Sequence, residues 1–259
     1  MTLEVQHLAF SYEKDQHVLD DVDFKIGEGE CVSLLGPNGV GKSTLFRCIL
    51  GIHRQYEGCV LLDGRDIRTM TEREVAQKVA YIPQFNNPTF NYSVLDMVMM
   101  GHASQMHVFG VPGKNVRKKA EEALERMGIL GLKDRGFSYL SGGERQLVLM
   151  ARAMMQDAKI WIMDEPTASL DYGNQLRVLS QMQEMAKNGY TIIQSNHNPD
   201  QSFLFSSRIL AMLGGCLIAD GTPKEVITPE LIEMLYHVKV ELAPLRQGEC
   251  YTCVPISIH

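Results

Sequence analysis

Short apolar runs alternate with more polar, helix-like segments over most of the chain. Three of these runs have the length and composition of buried strands: residues 30–35, 159–163 and 191–194. Residues 42–50, shortly after the first run, are predicted to form the helix that follows it. Strands that alternate with helices are typical of a largely parallel sheet covered by helices, so we predict an α/β fold.

The C-terminal third contains a different pattern. Residues 208–212 and 216–219 are two further apolar runs, and Gly214 and Gly215 lie between them. Two short runs joined by a pair of glycines are typical of a β-hairpin. We therefore expect an antiparallel pair of strands at this point.

The middle of the chain has a helical period. Ala120, Ala123, Leu124 and Met127 fall at positions i, i+3, i+4 and i+7, which places them on one face of a helix surrounded by charged residues. We find no internal repeat and no long linker. The chain is therefore predicted to be one domain, 1–259, with an α/β core at about 1–92 and 158–259 and a helical subdomain inserted at about 93–157.

Charge and hydropathy restrict the partners. The 259 residues carry a net charge of -6, so no general basic field attracts nucleic acid, and none is expected as a partner. The longest apolar stretch, 209–219, is interrupted by glycines, and a bilayer span needs about 20 apolar residues. The first residues lack the pattern of a secretory signal. Any role at a membrane is therefore expected to depend on a partner.

Six cysteines are scattered through apolar segments, and we expect reduced, mostly buried thiols. Cys250 and Cys253 have the spacing of a redox or metal pair. Two thiols make an incomplete zinc site, and no second pair follows at a usual spacing. His102, Met106 and His107 are a further weak suggestion of a metal site. Ordinary packing is the favoured interpretation of both groups.

A phosphate-binding loop follows the first predicted strand. Its residues are Gly36, Pro37, Asn38, Gly39, Val40, Gly41, Lys42 and Ser43, with Thr44 next in the helix, and they match G-x-x-x-x-G-K-[ST] between a strand and a helix. Glycines let the backbone N–H groups surround a phosphate, and the helix N-terminus favours its negative charge. Lys42 is expected to reach the β- and γ-phosphates and Ser43 to ligate Mg²⁺. The loop predicts a nucleotide triphosphatase, and the guanine-reading motif Asn-Lys-x-Asp is absent from the sequence.

Two acids end a second buried strand. Asp164 and Glu165 follow the run 159–163, and ligands in open α/β sheets bind at the carboxyl ends of strands. Asp164 can enter the Mg²⁺ shell. Glu165 can orient and deprotonate the attacking water. Pro166 helps to end the strand, because it cannot extend a ladder of hydrogen bonds.

A third motif identifies a family. Residues 140–146, Leu-Ser-Gly-Gly-Glu-Arg-Gln, combine an N-cap at Ser141 with Glu144 three residues later, which makes a capping box. The two glycines, Gly142 and Gly143, allow an anion to approach the helix N-terminus. This heptad resembles the signature sequence of ABC ATPases. The resemblance covers essentially the whole chain and implies a P-loop NTPase (RecA-like) core with an antiparallel β subdomain and a helical subdomain.

The resemblance assigns further roles in the order that the family has them. Tyr12 resembles the aromatic residue that stacks on adenine, and Gln84 the glutamine that contacts Mg²⁺ and water. Residues 169–171 resemble the D-loop, and His197 the switch histidine at the γ-phosphate. Asn198 stands where the family commonly has an acid. We expect hydrolysis to survive this departure.

The resemblance also implies partners. Two chains face head to tail as a homodimer in the ATP-bound state, so Ser141, Gly142 and Gly143 are expected to contact the nucleotide of the partner chain. Two transmembrane permease subunits dock beside the helical subdomain, and a substrate-binding protein acts through them. The chain is thus expected at the cytoplasmic face of the membrane, as a peripheral subunit. The expected docking region includes Phe85, Asn91, Tyr92, Val94, Met97, Met99, Met100 and His102.

Several short sequence segments resemble those of one subfamily. Residues 61–67, 80–84 and 98–101, with Val254-Pro255 after a short final strand, look most like importers of iron–siderophore complexes, haem, cobalamin or molybdate. A soluble ABC ATPase for iron–sulphur cluster assembly stays open as an alternative. DNA-repair ATPases carry a long coiled coil between the two motifs, whereas only residues 85–140 separate Gln84 from Ser141 here. Translation-associated members usually have two cassettes, and this chain has one.

Overall fold

The computed structural model describes residues 1–13, 17–84, 91–105, 114–248 and 250–258. Its strands are β1 (Leu3–Ser11), β2 (His17–Ile26), β3 (Cys31–Leu35), β4 (Glu57–Leu62), β5 (Arg65–Asp66), β6 (Val79–Ile82), β7 (Ile160–Met163), β8 (Thr191–Asn196), β9 (Arg208–Leu213), β10 (Cys216–Gly221), β11 (Val238–Leu245) and β12 (Cys250–Ile258). Its α-helices are α1 (Lys42–Ile49), α2 (Glu72–Ala76), α3 (Val94–Met99), α4 (Lys114–Arg126), α5 (Gly142–Gln156), α6 (Tyr172–Lys187), α7 (Pro199–Phe205), α8 (Pro223–Val226) and α9 (Pro229–Tyr236).

The central sheet positions the site. Its strand order is β10-β9-β3-β8-β7-β6, and β9, β3, β8, β7 and β6 are parallel. Every residue of β3, β7 and β8 is buried, as expected for a parallel sheet covered on both faces. The predicted strands and the α/β class are confirmed. The predicted hairpin at Gly214 and Gly215 is also confirmed, as the antiparallel pair β9–β10.

A second sheet is antiparallel, with strand order β2-β1-β4-β5. Buried residues alternate with less buried ones along β1, so one face packs on a core and the other is more open. That core includes residues of β1 and β2 together with Leu45 and Phe46 of α1. The helix α1 is thus enclosed between the antiparallel sheet and the central sheet.

The helices between β6 and β7 pack on one another and on the other face of the central sheet. The predicted face of α4 is confirmed, because Ala120, Ala123, Leu124 and Met127 are all buried. Their core continues into Trp161 of β7, so the helical region and the sheet share one hydrophobic cluster. The division of the chain at about residues 93 and 157 stays a prediction.

The C-terminal residues form a separate two-stranded sheet, β11–β12, which packs on α7 and α9. Val254 and Pro255 lie within β12, so the expectation that they follow a short final strand is wrong. The strand continues because Val254 and Pro255 pair with Glu241 and Val240 of β11. All six cysteines are free thiols.

Within the described ranges, no helix has both the length and the apolar character needed to cross a lipid bilayer.

Candidate nucleotide site

The phosphate loop leaves β3 after Leu35 and enters α1 at Lys42. Two of its glycines are required by close approaches. A Cβ atom on Gly36 would lie 2.6 Å from the carbonyl oxygen of Met212, and one on Gly41 would lie 2.8 Å from that of Val18. Gly41 also has a φ of 110°, a conformation that strongly favours glycine. The tight turn therefore depends on tertiary contacts as well as on the motif.

Lys42 is nearly enclosed by this loop, with 6% of its surface exposed. Its Nζ donates hydrogen bonds to the carbonyl oxygens of Gly36, at 2.7 Å, and Pro37, at 2.9 Å. Burial lowers the pKa of Lys42, while the nearby Glu165 and Asp164 carboxylates act in the opposite direction. The result is a desolvated cation at the position where an anionic ligand would meet the loop.

Asp164 connects three elements of the site. Its Oδ2 accepts a hydrogen bond of 2.9 Å from Oγ of Ser43, 121 positions earlier in the chain. Its Oδ1 accepts one of 2.6 Å from Oγ of Ser195, at the end of β8. The hydroxyl and carboxylate oxygens at this point are hard donors, which fit a Mg²⁺ ion well.

Glu165 has a left-handed backbone, with a φ of 43°. Its N–H donates a hydrogen bond of 2.8 Å to Oγ of Ser195. Gln84 Nε2 donates to Glu165 Oε2 at 3.1 Å, and His197 Nδ1 lies 3.5 Å from Glu165 Oε1. The structure thus brings Gln84 and His197 to the two oxygens of one carboxylate. Sequence reasoning missed Ser195, although it lies two residues before His197.

A cleft of about 570 Å³, within the usual range for small-molecule sites, lies between the phosphate loop, Gln84 and the two acids Asp164 and Glu165. It is lined by Tyr12, Val18, Asn38, Gly39, Gly41, Lys42, Ser43, Thr44, Gln84, Asp164 and Glu165. At its edge the Tyr12 hydroxyl lies 3.2 Å from Oγ1 of Thr44 and 3.3 Å from Nε2 of His53. Phe10 stacks on His53, with 4.8 Å between the ring centroids. Sequence reasoning missed Phe10 and His53, and no motif marks either residue.

Comparison with known proteins decides the family. The sequence model described as ABC transporter matches residues 19–168. The probable iron chelatin transport ATP-binding protein of Helicobacter pylori is 34% identical over 93% of this chain and 95% of its own length. The molybdate import ATP-binding protein of Haemophilus influenzae is 34% identical over 91% of this chain and 88% of its own length.

The chain belongs to the ABC transporter family. A solved ABC transporter of metal-chelate type, in an inward-facing conformation, superposes with a TM-score of 0.86 at 30% identity, over 99% of this chain and 97% of that one. Members of the family use ATP hydrolysis to power transport, and this chain is an ATP-binding, ATP-hydrolysing cassette. The predicted P-loop NTPase fold is confirmed.

The signature residues of this ABC ATPase lie apart from its own cleft. Ser141 caps α5: its Oγ accepts a hydrogen bond from the backbone N–H of Glu144, and the Glu144 carboxylate accepts from the N–H of Ser141 at 2.8 Å. A Cβ atom on Gly143 would come within 2.6 Å of Cβ of Asn174 in α6. Gly143 is therefore needed for packing within the chain. The sequence suggested only that this glycine lets an anion approach the helix.

The departure at Asn198 has a structural role in this ABC ATPase. The Asn198 side chain accepts hydrogen bonds from the N–H groups of Asp200, at 3.0 Å, and Gln201, at 3.2 Å, and so caps α7. Asparagine and aspartate are both good N-caps, so the replacement preserves the start of this helix. His197 directly precedes this cap.

The expected docking region is mixed. Val94 and Met97 are buried, whereas Asn91, Tyr92 and Met100 are exposed. Phe85, Met106 and His107 lie outside the described residues. In the described part of the chain, the group of side chains near enough to hold a metal ion is His7, Asp21 and Asp23, which does not include His102.

Proposed function

We propose that this ABC ATPase powers the import of a metal chelate, as a homodimer with two shared ATP sites at the cytoplasmic face of a membrane. The observation that carries the assignment of the site is the Glu165 carboxylate, with Gln84 on one oxygen and His197 near the other. Glu165 and Gln84 line the same cleft as the loop that binds phosphate in the family.

ATP supplies the phosphates that Lys42 and the loop 36–44 bind. Mg²⁺ would be held by Ser43, Asp164 and Gln84, and it would neutralise charge on the phosphate oxygens. The amide nitrogen of Gln84 already donates to Glu165, which leaves its oxygen as a ligand. Glu165 accepts the proton of the attacking water, and His197 contacts the γ-phosphate.

The second half of each site comes from a partner chain. Ser141, Gly142 and Gly143 begin α5, whose N-terminus favours an anion, yet none of them lines the cleft of their own chain. A head-to-tail homodimer brings them to the nucleotide of the other chain. ATP binding closes the dimer, and hydrolysis reopens it.

Two transmembrane permease subunits transmit this motion, and a substrate-binding protein delivers the cargo to them. The exposed residues Tyr92 and Met100, before and after α3, are the proposed side of contact. A net charge of -6 argues against a nucleic acid as an alternative partner.

The composite site is tested by measuring ATP hydrolysis against protein concentration, with Glu165→Gln as the control. We expect a rise steeper than linear and a loss of roughly 10²–10⁴-fold in Glu165→Gln. Ser141→Arg is expected to bind ATP as the wild type does and to hydrolyse none. A rate strictly proportional to concentration in a monomeric protein would refute the shared site.

The proposed cargo rests on the relatives that are named for iron chelatin and on the metal-chelate type structure. A strain that lacks the chain is expected to lose uptake of a radiolabelled ferric chelate and to keep uptake of radiolabelled molybdate. The reverse result would assign the chain to molybdate, as the Haemophilus relative is named. Unchanged uptake of both would remove the metal-chelate proposal.

A further inference from the structure

The C-terminal hairpin β11–β12 is attached to the segment that carries His197. The backbone N–H of Cys253 donates a hydrogen bond of 2.7 Å to Oδ1 of Asp200, across 53 positions of sequence. This acceptor is a carboxylate, and such charge-assisted bonds are the stronger class of hydrogen bond. The hairpin therefore has a specific contact at the start of α7.

Asp200 is continuous with the histidine segment through short bonds. Asn196 Oδ1 accepts from the N–H of Asn198 at 2.9 Å, and Asn198 Oδ1 accepts from the N–H of Asp200 at 3.0 Å. These bonds join the end of β8 to the first turn of α7 on both sides of His197. A displacement of Asp200 is thus transmitted to the backbone of His197.

The His197 ring has little support of its own. Half of its side chain is exposed, at 51%, and within the described residues its polar contact runs from Nδ1 to Oε1 of Glu165, at 3.5 Å. This distance is longer than a good hydrogen bond. The direction of the ring is therefore set mainly by its backbone, and by whatever holds that backbone in place.

The hairpin is itself firmly anchored. Tyr251 packs on Phe203 of α7, with 5.6 Å between the ring centroids. Cys250 and Val240 are buried in a cluster that also contains Phe203 and Leu35, the residue before the phosphate loop. Burial first, and then the nearby Asp200, raises the pKa of the Cys253 thiol to about 12, so this thiol stays protonated. The hairpin thus acts on α7 through packing and through Cys253, whose backbone N–H and thiol both interact with Asp200; of these two donors the thiol is the weak one.

From this geometry we infer that Asp200 is a positioning residue for ATP hydrolysis, held by the Cys253 N–H so that His197 meets the γ-phosphate. The inference rests on the proposed role of His197. Loss of the bond moves the ring without removing it. The expected result is a lower kcat for ATP, with a KM that changes little, because the phosphate loop is untouched.

Four variants of the full chain separate the bond from its surroundings. Asp200→Ala removes the acceptor, and Asp200→Asn keeps a side-chain oxygen as acceptor. Cys253→Pro removes the donor. The N–H of Cys253 points to Asp200 and not to β11, and proline is tolerated best in a strand at such a position. Cys253→Ala removes the thiol and keeps the N–H. Thermal unfolding of each variant accompanies the kinetics.

We expect Asp200→Ala and Cys253→Pro to lower kcat roughly three- to tenfold, less than the about 10²-fold that a 1 Å misplacement can cost. Asp200→Asn and Cys253→Ala should stay close to the wild type. The double variant Asp200→Ala/Cys253→Pro should be no slower than either single one, since both remove the same bond.

A His197→Ala variant tests whether the loss of kcat in Asp200→Ala passes through His197. In that variant, Asp200→Ala should cause no further loss of rate. An equal loss in both backgrounds, or wild-type kcat in Asp200→Ala, overturns the inference. If Cys253→Pro fails to fold, the inference is still tested by Asp200→Ala and by the recovery of kcat in Asp200→Asn. Wild-type activity of His197→Ala alone would instead overturn the proposed role of the histidine.

Discussion

The backbone N–H of Glu165 donates a 2.8 Å hydrogen bond to Oγ of Ser195, a residue 30 positions later on the neighbouring strand. The same hydroxyl donates to Oδ1 of Asp164 at 2.6 Å. One serine therefore supports both acids of the site. Because Glu165 has a left-handed φ of 43°, which costs about 1–2 kcal/mol in a residue other than glycine, its conformation needs such support.

Ser195→Ala is expected to lower kcat by roughly tenfold, since even small misplacement of a reacting group is costly, and to leave the KM for ATP almost unchanged. Steady-state ATP hydrolysis measures both constants. Ser195→Thr, which keeps the hydroxyl, is the matched control. An alanine variant with wild-type kcat would mean that Glu165 keeps its position without this bond.

Tyr12→Ala is expected to raise the Kd for ATP by roughly 5- to 150-fold, because the proposed stacking of adenine on this aromatic ring contributes about 1–3 kcal/mol. Tyr12 lines the cleft, and its ring packs edge-on against Phe10 and His53. Direct titration with ATP measures the change. Tyr12→Phe keeps the ring and should bind nearly as the wild type does; equal losses in both variants would assign the effect to the hydroxyl.

Gly143→Ala is expected to destabilise the protein by about 1–3 kcal/mol, because the added Cβ meets Asn174 in a packed contact between α5 and α6. Denaturant unfolding without nucleotide gives this free energy. Gly142→Ala is the control, since its Cβ meets the end of the flexible Leu170 side chain at 2.9 Å. The double variant Gly143→Ala/Asn174→Gly, which also removes the Asn174 Cβ, should regain stability relative to the sum of the two single variants. Failure to regain it would show that the crowding lies elsewhere.

The N-terminal cap of α5, formed by Ser141 and Glu144, is expected to weaken in acid. The N–H of Ser141 is the main cause that lowers the pKa of Glu144 below its usual 4.5. A carboxyl whose pKa is lower in the folded state stabilises that state above pH 4.5, and this contribution is lost as the pH falls through the folded pKa. Unfolding free energies between about pH 6 and about pH 3 should therefore fall less steeply in Glu144→Gln than in the wild type. Parallel curves would contradict the assignment.

Several features were predictable because they depend on residues close in sequence. The phosphate loop needs glycines, a lysine and a serine in one turn before a helix, and residues 36–43 supply them. The cap at Ser141 needs an acid three residues later, and Glu144 is there. The face of α4 follows from the helical period of Ala120, Ala123, Leu124 and Met127, which are all buried.

Other features depend on which segments become neighbours. Ser195 reaches Asp164 because β8 lies beside β7 and β3 in the central sheet. The aromatic contacts of Tyr12 require β1 to meet the end of α1, and the contact of Asp200 with Cys253 requires the last strand to fold back onto α7. None of these contacts leaves a local pattern that could have been used.

The sequence by itself determined the α/β class, the chemical groups of the nucleotide site and the ATPase family, because each is encoded in short segments whose spacing and residue types restrict the backbone directly. The tertiary structure alone decided how Glu165 is supported, why Gly143 must be glycine, and what holds the turn after His197. Those relationships are contacts between distant segments, and their energies arise only when strand order and packing bring the segments together.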